Sequence, residues 1–294
     1  MNIALSITKF RRTKLNKYIG NRVVAGAEYA GLKKRLSNLQ CDVEQISLAV
    51  PNLPAELAGL CLAQISDIHL GEHFHSEQLY DAVTVLNQLA PDYVLMTGDY
   101  VTDHVRYAQG LIEPLRHLHV PAFAVLGNHD CYCGAAEIAQ ALAATPVQLM
   151  RNQALELHPG FWLAGLDDIL RGRPNLAATL RPIPQDAATV LMVHEPDFFN
   201  RVVQEQIPIH LQLSGHTHGG QIRIPKLRAS RRQTQTWAPV LPSLGRQYSM
   251  GLYSVGQRYV YINRGLGFTG WPIRFNCRPE ITLITLEQAS PKSA

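Results

Sequence analysis

Five times along this chain a short apolar run ends in a polar cluster, and no other feature restricts its fold as strongly. Leu60 to Ile65 leads into Ser66-Asp67-Ile68-His69, Tyr93 to Met96 into Thr97-Gly98-Asp99, and Ala122 to Leu126 into Gly127-Asn128-His129-Asp130. Val190 to Val193 precedes His194-Glu195, and Ile209 to Leu213 precedes Ser214-Gly215-His216-Thr217-His218. Short apolar runs punctuated in this way read as strands buried on both faces, and the C-terminal ends of such strands are where open α/β sheets collect ligands. Five strand ends are therefore expected on one rim.

Helical periodicity fills the intervals, over Ser76 to Leu89 (Leu79, Val83, Leu86, Leu89) and over Gly134 to Ala144. Beyond Gln221 the pattern changes to short strands and turns, Met250 to Val255 and Tyr259 to Ile262, with a last alternating strand from Glu280 to Leu286. The expectation is a βαβ first part feeding a more antiparallel second part. With 46% hydrophobic and 17% charged residues over 294 positions, the chain is excluded from the disordered, collagenous and coiled-coil classes. No run approaches the ~18 apolar residues of a membrane span, and Lys9 interrupts the N-terminus before a signal-peptide core forms. Five sparse cysteines, an odd number, fit a reducing, cytoplasmic setting. Cys131-Tyr132-Cys133 lacks redox or zinc-ribbon spacing and is assigned no chemical role.

Charge is unevenly spread. Residues 1 to 36 carry nine lysines and arginines against a single acid, Glu28, although the whole chain is only +4. Within that arm Tyr29, Leu32, Leu36 and Leu39 recur at helical spacing among Lys33, Lys34 and Arg35, the pattern of a basic amphipathic helix that caps a domain or lies on a membrane. A second asymmetry lies between Glu205 and Glu280, where ten basic residues and no acid occur. Such a face favours an anionic visitor. These features divide the chain into a basic arm with an amphipathic helix over 1–42, a catalytic body over 43–288 and a tail over 289–294.

The polar residues at the five strand ends are Asp67, His69, Asp99, Asn128, His194, His216 and His218. Oxygen and imidazole donors without thiolates suit a pair of divalent ions such as Mn, Fe, Zn or Co. Any one of them alone reads as a strand-end cap or a solvated side chain; the ordered set does not.

The motifs Asp67-Ile68-His69, Gly98-Asp99, Gly127-Asn128-His129-Asp130, His194 and Gly215-His216-Thr217-His218 resemble, in order and without departure, those of the calcineurin-like metallophosphoesterases. That resemblance implies an α/β four-layer sandwich, two mixed β-sheets packed together and flanked by helices. It also implies one metal held by Asp67, His69 and His218, a second by Asn128, His194 and His216, and Asp99 bridging both. His129 becomes the catalytic histidine, with Asp130 orienting its ring, and hydroxide drawn from water between the ions becomes the nucleophile. Asn128, His129 and Arg223 are expected to contact the substrate. His73 and His75 are read as bystanders, Asp167-Asp168 equally as a turn or supporting pair or as a substrate contact, and Glu195 as pointing away from its neighbour His194.

Gly219-Gly220-Gln221-Ile222-Arg223-Ile224-Pro225 and Asn276-Cys277-Arg278-Pro279 extend the likeness to the YkuE/YaeI-like bacterial branch. What that branch implies is a phosphodiester or pyrophosphate substrate in a lipid or lipid-linked nucleotide such as UDP-2,3-diacylglucosamine. It also implies a cytoplasmic enzyme peripheral on the inner face of the membrane, touching anionic lipid through residues 9–36. A nuclease or cyclic-nucleotide phosphodiesterase is the alternative, against which stands the lack of a dedicated nucleic-acid module. A non-catalytic scaffold ranks below both, because Asp99, Asn128 and His129 are all retained.

Overall fold

Alternation along single strands decides the architecture. In β2 (Cys61–Ile65), which follows β1 (Asp42–Val50), Leu62 belongs to one apolar cluster while Ala63 and Ile65 belong to another. A strand of this kind needs cover on both faces. The computed structural model, which describes residues 18–19, 22–23, 26–225 and 236–289, supplies it with a second sheet on one side and helices on the other.

Going along the chain, α1 (Gly26–Asn38) precedes β1, and α2 (Ser76–Leu89) joins β2 to β3 (Tyr93–Met96). Then come α3 (Ile112–Arg116), β4 (Ala122–Ala124), α4 (Asn128–Ala143), β5 (Val147–Leu149), β6 (Gln153–His158) and β7 (Phe161–Gly165). After α5 (Leu176–Leu180) follow β8 (Ala188–Met192), α6 (Phe198–Gln204) and β9 (Leu211–Ser214). The hairpin β10 (Gly251–Val255) and β11 (Arg258–Ile262) and the final strand β12 (Glu280–Gln288) complete the two sheets. The first sheet has the order β1-β12-β2-β3-β4-β5 and the second β10-β11-β9-β8-β7-β6.

Leu62, Leu95, Phe123 and Ile284 of the first sheet meet Leu163, Val190, Met192 and Leu213 of the second in a central core. The outer face of the first sheet packs on α1, α2 and α4, and that of the second on α6 through Phe198, Phe199 and Val202. The result is the expected four-layer α/β sandwich of two mixed sheets between helices. One polar residue is built into its middle: Gln64 Nε2 donates to Thr97 Oγ1 and to Ser214 O, both at 3.0 Å, tying the two sheets together behind their C-terminal edge.

Three expectations change in the structure. The five strand ends do share a rim, but β2, β3 and β4 come from one sheet and β8 and β9 from the other, so the rim spans two stacked layers. The switch to antiparallel pairing after Gln221 holds for β10 with β11 and for β12 with β2, whereas β11 runs parallel to β9 and β12 parallel to β1. Helix α4 begins at Asn128, inside the polar motif, and Gly134 at φ +148° breaks its regular geometry. That break hides the first turn from periodicity, which is visible only beyond it.

Leu32, Leu36 and Leu39, the apolar stripe of the basic helix, lie in the core beneath α2 rather than at the surface. Residues 1–17 of the arm, with Lys9 to Lys17, lie outside the described residues, as do Lys226 to Arg232. Among the described residues no helix is long and apolar enough to cross a membrane.

Candidate metal centre

Strands β2 and β3 are parallel neighbours, and their loops prolong the pairing beyond the sheet. Asp67 N donates to Gly98 O at 2.9 Å, His69 N to Asp99 O at 3.0 Å and Leu70 N to Tyr100 O at 2.8 Å. Two polar loops thus run side by side, and their side chains turn into a common space because the backbone goes left-handed, with φ of +48° at Asp67, +50° at His69 and +58° at Asp99. His216 at +70° and His218 at +51° do the same from the second sheet. This conformation costs a side chain about 1 kcal/mol or more, and such residues concentrate where function demands a particular direction. Close approach explains the motif glycines. A Cβ on Gly127 would overlap the Asp99 carboxylate and sit 2.7 Å from Asp99 N, and one on Gly215 would fall on Ser66 Oγ and the Asp67 carboxylate.

Among the described residues three groups of potential ligand atoms result, each with its atoms within 4.8 Å of one another: Asp67, His69 and His218; Asp99, His194 and His216; and His69, Asp99 and His129. Asp99 links them, since its Oδ2 lies 3.5 Å from His69 Nε2 and 3.1 Å from His194 Nε2. Asn128 Oδ1 stands 2.8 Å from His216 Nδ1, which completes the seven residues expected from sequence.

Donor chemistry fits divalent ions. Nε2 of His194 and of His216 and Nδ1 of His69 are buried without a hydrogen-bond partner. His69 Nε2 and His218 Nε2 face each other at 3.0 Å, with Asp67 Oδ1 3.3 Å from the latter, an arrangement that calls for a cation between them. Burial, with the charge of His194, pushes His216 down to about 3, and burial with His69 and Arg274 holds His218 well below its usual value. Both imidazoles are neutral at neutral pH and have lone pairs to give. Burial opposes the charge on Asp99, but the facing His194 and His69 outweigh it and keep the carboxyl well below the usual range.

Backbone carbonyls set two of the rings. Thr97 O accepts from His194 Nδ1 at 2.6 Å, which leaves Nε2 towards Asp99, and Thr102 O accepts from His129 Nδ1 at 2.5 Å. His129 N donates to Asp99 Oδ1 at 2.8 Å, so the histidine and the linking carboxylate are fixed to each other. Asn128 and His129 are less enclosed than the other candidates: Asp67, His69, Asp99, His194, His216 and His218 are all buried, and His129 is half-buried. The Asn128-His129 turn therefore borders the opening.

Two assignments are corrected. Asp130 does not touch the His129 ring: its Oδ2 accepts from Asp99 N at 2.8 Å and Gly127 N at 2.9 Å, and its Oδ1 from Tyr100 N at 2.7 Å. It is a buried brace for the Asp99 turn, because the first turn of α4 aims it back at those amides. Asp130→Asn sets an amide N–H against one of these donors, and the expected result is a loss of about 2 to 4 kcal/mol of stability together with metal content. Thermal melts paired with elemental analysis check this, and full metal content with only kcat reduced would restore a role at His129. Arg223, expected at the substrate, is buried at 2% exposure, and its Nη1 donates to Gly219 O at 2.7 Å. The turn through Gly219 and Gly220 folds it inward.

Of the lesser candidates, His75 caps α2, Asp167 pairs with Arg151 at 2.8 Å, and Asp168 accepts from the amides of Leu170, Arg171 and Gly172. Glu195 turns from the cluster to accept from Ile169 N at 3.2 Å. Sequence reasoning missed Arg274, whose Nη1 donates to His218 O at 3.3 Å and whose Nη2 donates to Gly267 O at 2.6 Å. It also missed Gly265-Leu266-Gly267, which crosses over the Asp67 loop so closely that a Cβ on Gly265 would meet Asp67 Cβ at 2.6 Å. Two glycines directly after a strand were the available signal.

The profile of the calcineurin-like phosphoesterase family matches residues 62–220. The metallophosphoesterase YkuE of Bacillus subtilis is 32% identical over 296 residues, covering 97% of this chain and 99% of its own length. The phosphodiesterase YaeI of Escherichia coli is 29% identical over 235 residues, 76% of this chain and 80% of that one. Among solved structures, TT1561 of Thermus thermophilus aligns with a TM-score of 0.47 at 12% identity, over 70% of this chain and 89% of that one.

Proposed function

Because this chain belongs to the calcineurin-like phosphoesterase family and is a metal-dependent phosphoester hydrolase, we propose that it cleaves a phosphodiester or pyrophosphate bond in a lipid or lipid-linked nucleotide. One observation carries the chemistry: a single carboxylate, Asp99, stands between two histidine groups in which Nε2 of His194, Nε2 of His216 and Nδ1 of His69 are buried without a hydrogen-bond partner. Asp67, His69 and His218 form one set of donors, Asn128, His194 and His216 the other, and Asp99 serves both. Mn, Fe, Zn or Co bound there would polarise a phosphoryl oxygen and acidify water at neutral pH.

The chain's own groups do the rest. His129 borders the opening with Nδ1 engaged by Thr102 O, so Nε2 faces the substrate. As an imidazolium it donates its Nε2 proton to the leaving oxygen, and before that it stabilises the charge growing on phosphorus oxygens. His129 N and Nδ1, held by Asp99 Oδ1 and Thr102 O, fix the backbone and the ring beside the ligand groups.

Diesterase action is supported by the likeness to a protein named as a phosphodiesterase. For a lipid portion the support is apolar lining: Leu266, Phe268 and Phe74 border a cavity of about 600 Å³, and Phe74 and Phe268 also border a pocket of about 170 Å³ that His69 helps to line. Location on the inner face of the membrane accords with the basic arm. The test is Mn-dependent hydrolysis of bis-p-nitrophenyl phosphate, p-nitrophenyl phosphate and UDP-2,3-diacylglucosamine, with Asp99→Ala as control. We expect the diester to exceed the monoester in kcat/KM by about tenfold or more, as differential binding of a second ester oxygen allows, and the lipid nucleotide to exceed both. No turnover of any of them by protein that holds two metals would sink the hydrolase reading, and turnover of the aryl esters alone would overturn the lipid one.

A further inference from the structure

After crossing the Asp67 loop at Gly265 and Gly267, the chain puts large apolar side chains into solvent. Trp271 is 73% exposed, Phe275 53% and Ile273 50%. A second exposed pair joins them, Ile224 at 42% and Trp237 at 55%, which are cross-strand partners in a short ribbon. The two segments are one surface, since Ile222 bridges to Phe275 and Arg223 N donates to Phe275 O at 2.9 Å. Beneath, Gln221 exchanges hydrogen bonds with Thr269 N and O at 2.9 and 2.8 Å, and Arg274 is tied to Gly267 O. A braced backbone that nevertheless exposes two tryptophans, a phenylalanine and two isoleucines marks an interaction surface.

We propose that this rim, Phe268 to Phe275 with Ile224 and Trp237, inserts shallowly into an anionic lipid bilayer and sets the metal cleft against it. The proposal rests on the lipid reading above for its purpose and on independent observations for its place. Charge complementarity selects the occupant: from 206 to 279 the chain has no Asp or Glu, and the exposed Arg278, which also reaches Asp42 at 3.4 Å, flanks the apolar tip. Tryptophan beside arginine is the composition suited to the boundary between headgroups and acyl chains. Position supplies the second argument. Pro272 and Ile273 line the cavity of about 600 Å³, whose one carboxylate is Glu72, and that cavity shares Glu72, His73, Phe74 and Phe268 with the pocket beside His69. A bilayer held by this loop therefore meets the cavity where it opens. Helix α1 cannot offer its apolar stripe instead, since Leu32, Leu36 and Leu39 are in the core.

The experiment uses the full chain and sedimentation with vesicles of phosphatidylcholine alone or mixed equally with phosphatidylglycerol. We expect binding to the anionic vesicles, a blue shift of tryptophan emission that Trp271→Phe reduces, and at least about tenfold weaker binding by Trp271→Glu/Phe275→Glu, from the apolar area withdrawn. Hydrolysis of bis-p-nitrophenyl phosphate by the double variant should equal wild type, which certifies its fold and metals; if it does not, Trp271→Ser takes its place. Wild-type protein that ignores anionic vesicles overturns the proposal. So does a double variant that binds as wild type while neutralising Lys9, Arg11, Arg12, Lys14 and Lys17 abolishes binding, or a patch that drives self-association in place of vesicle binding. Vesicle binding without turnover of the lipid nucleotide would refute the substrate reading alone, and turnover in micelles without vesicle binding would refute this one alone.

Discussion

Replacing Asp99 with alanine is expected to abolish both metal binding and turnover, with kcat on bis-p-nitrophenyl phosphate falling by roughly 10⁴-fold or more, the scale seen when a group central to a catalytic unit is removed. Asp99 is the one residue whose carboxylate faces both histidine groups, through Oδ2 at 3.5 Å from His69 and 3.1 Å from His194, while its Oδ1 receives His129 N. Its removal leaves His194 Nε2 and His69 Nε2 buried with no counter-charge between them, a condition that disfavours any cation nearby. Elemental analysis after exhaustive dialysis should read little or no metal, and calorimetric titration should show neither site filled. Equal metal content in wild type and Asp99→Ala would refute the linking role, whatever happened to the rate.

His129→Ala is expected to behave differently. Metal content should stay near wild type, because the donors of both groups remain, while kcat drops by about 10² to 10⁴-fold, the usual worth of a placed proton donor. KM for the diester should change little, since the leaving oxygen is contacted mainly as charge develops on it. A substrate whose leaving group needs no proton, such as one with a p-nitrophenolate, should suffer less than one with an alkoxide. If both substrates lose rate equally, the histidine acts only on phosphoryl charge, and the proton donor lies elsewhere. Metal loss in His129→Ala would instead make it a ligand.

Side-chain identity made the candidate ligand set legible: five polar clusters after apolar runs, ordered as aspartate, histidine and asparagine, pointed to Asp67, His69, Asp99, Asn128, His194, His216 and His218, which the structure brings together. What could not be read was whatever the backbone supplies. Thr97 O and Thr102 O orient His194 and His129, and every residue has a carbonyl. Left-handed φ at five ligands has no signature in aspartate or histidine, which elsewhere favour other conformations. Asp130 was misread for a related reason. Adjacency to His129 suggested contact, whereas on the first turn of a helix neighbours point in different directions. Arg223 was misread because glycines before it allowed a turn that no charge count reveals. The sheets were half legible: periodicity identified their strands, and long-range pairing such as β12 between β1 and β2 lay beyond any local pattern.

That last strand carries a consequence for how the protein is made. Asp42 pairs with Glu280, and buried Arg264 clasps Glu44 at 2.9 Å and Glu280 at 2.7 Å, so two segments far apart along the chain close one sheet. A ribosome delivers β2 long before its neighbour, and the growing chain must hold an unpaired edge, along with the unfinished His216, His218 and Gly265 portions of the centre. The candidate metal centre cannot take its finished arrangement until His216, His218 and Gly265 have been made and β12 has paired. Activity is thereby expected only from chains in which β12 has been made and paired, and a chain cut before Glu280 is expected to be inert.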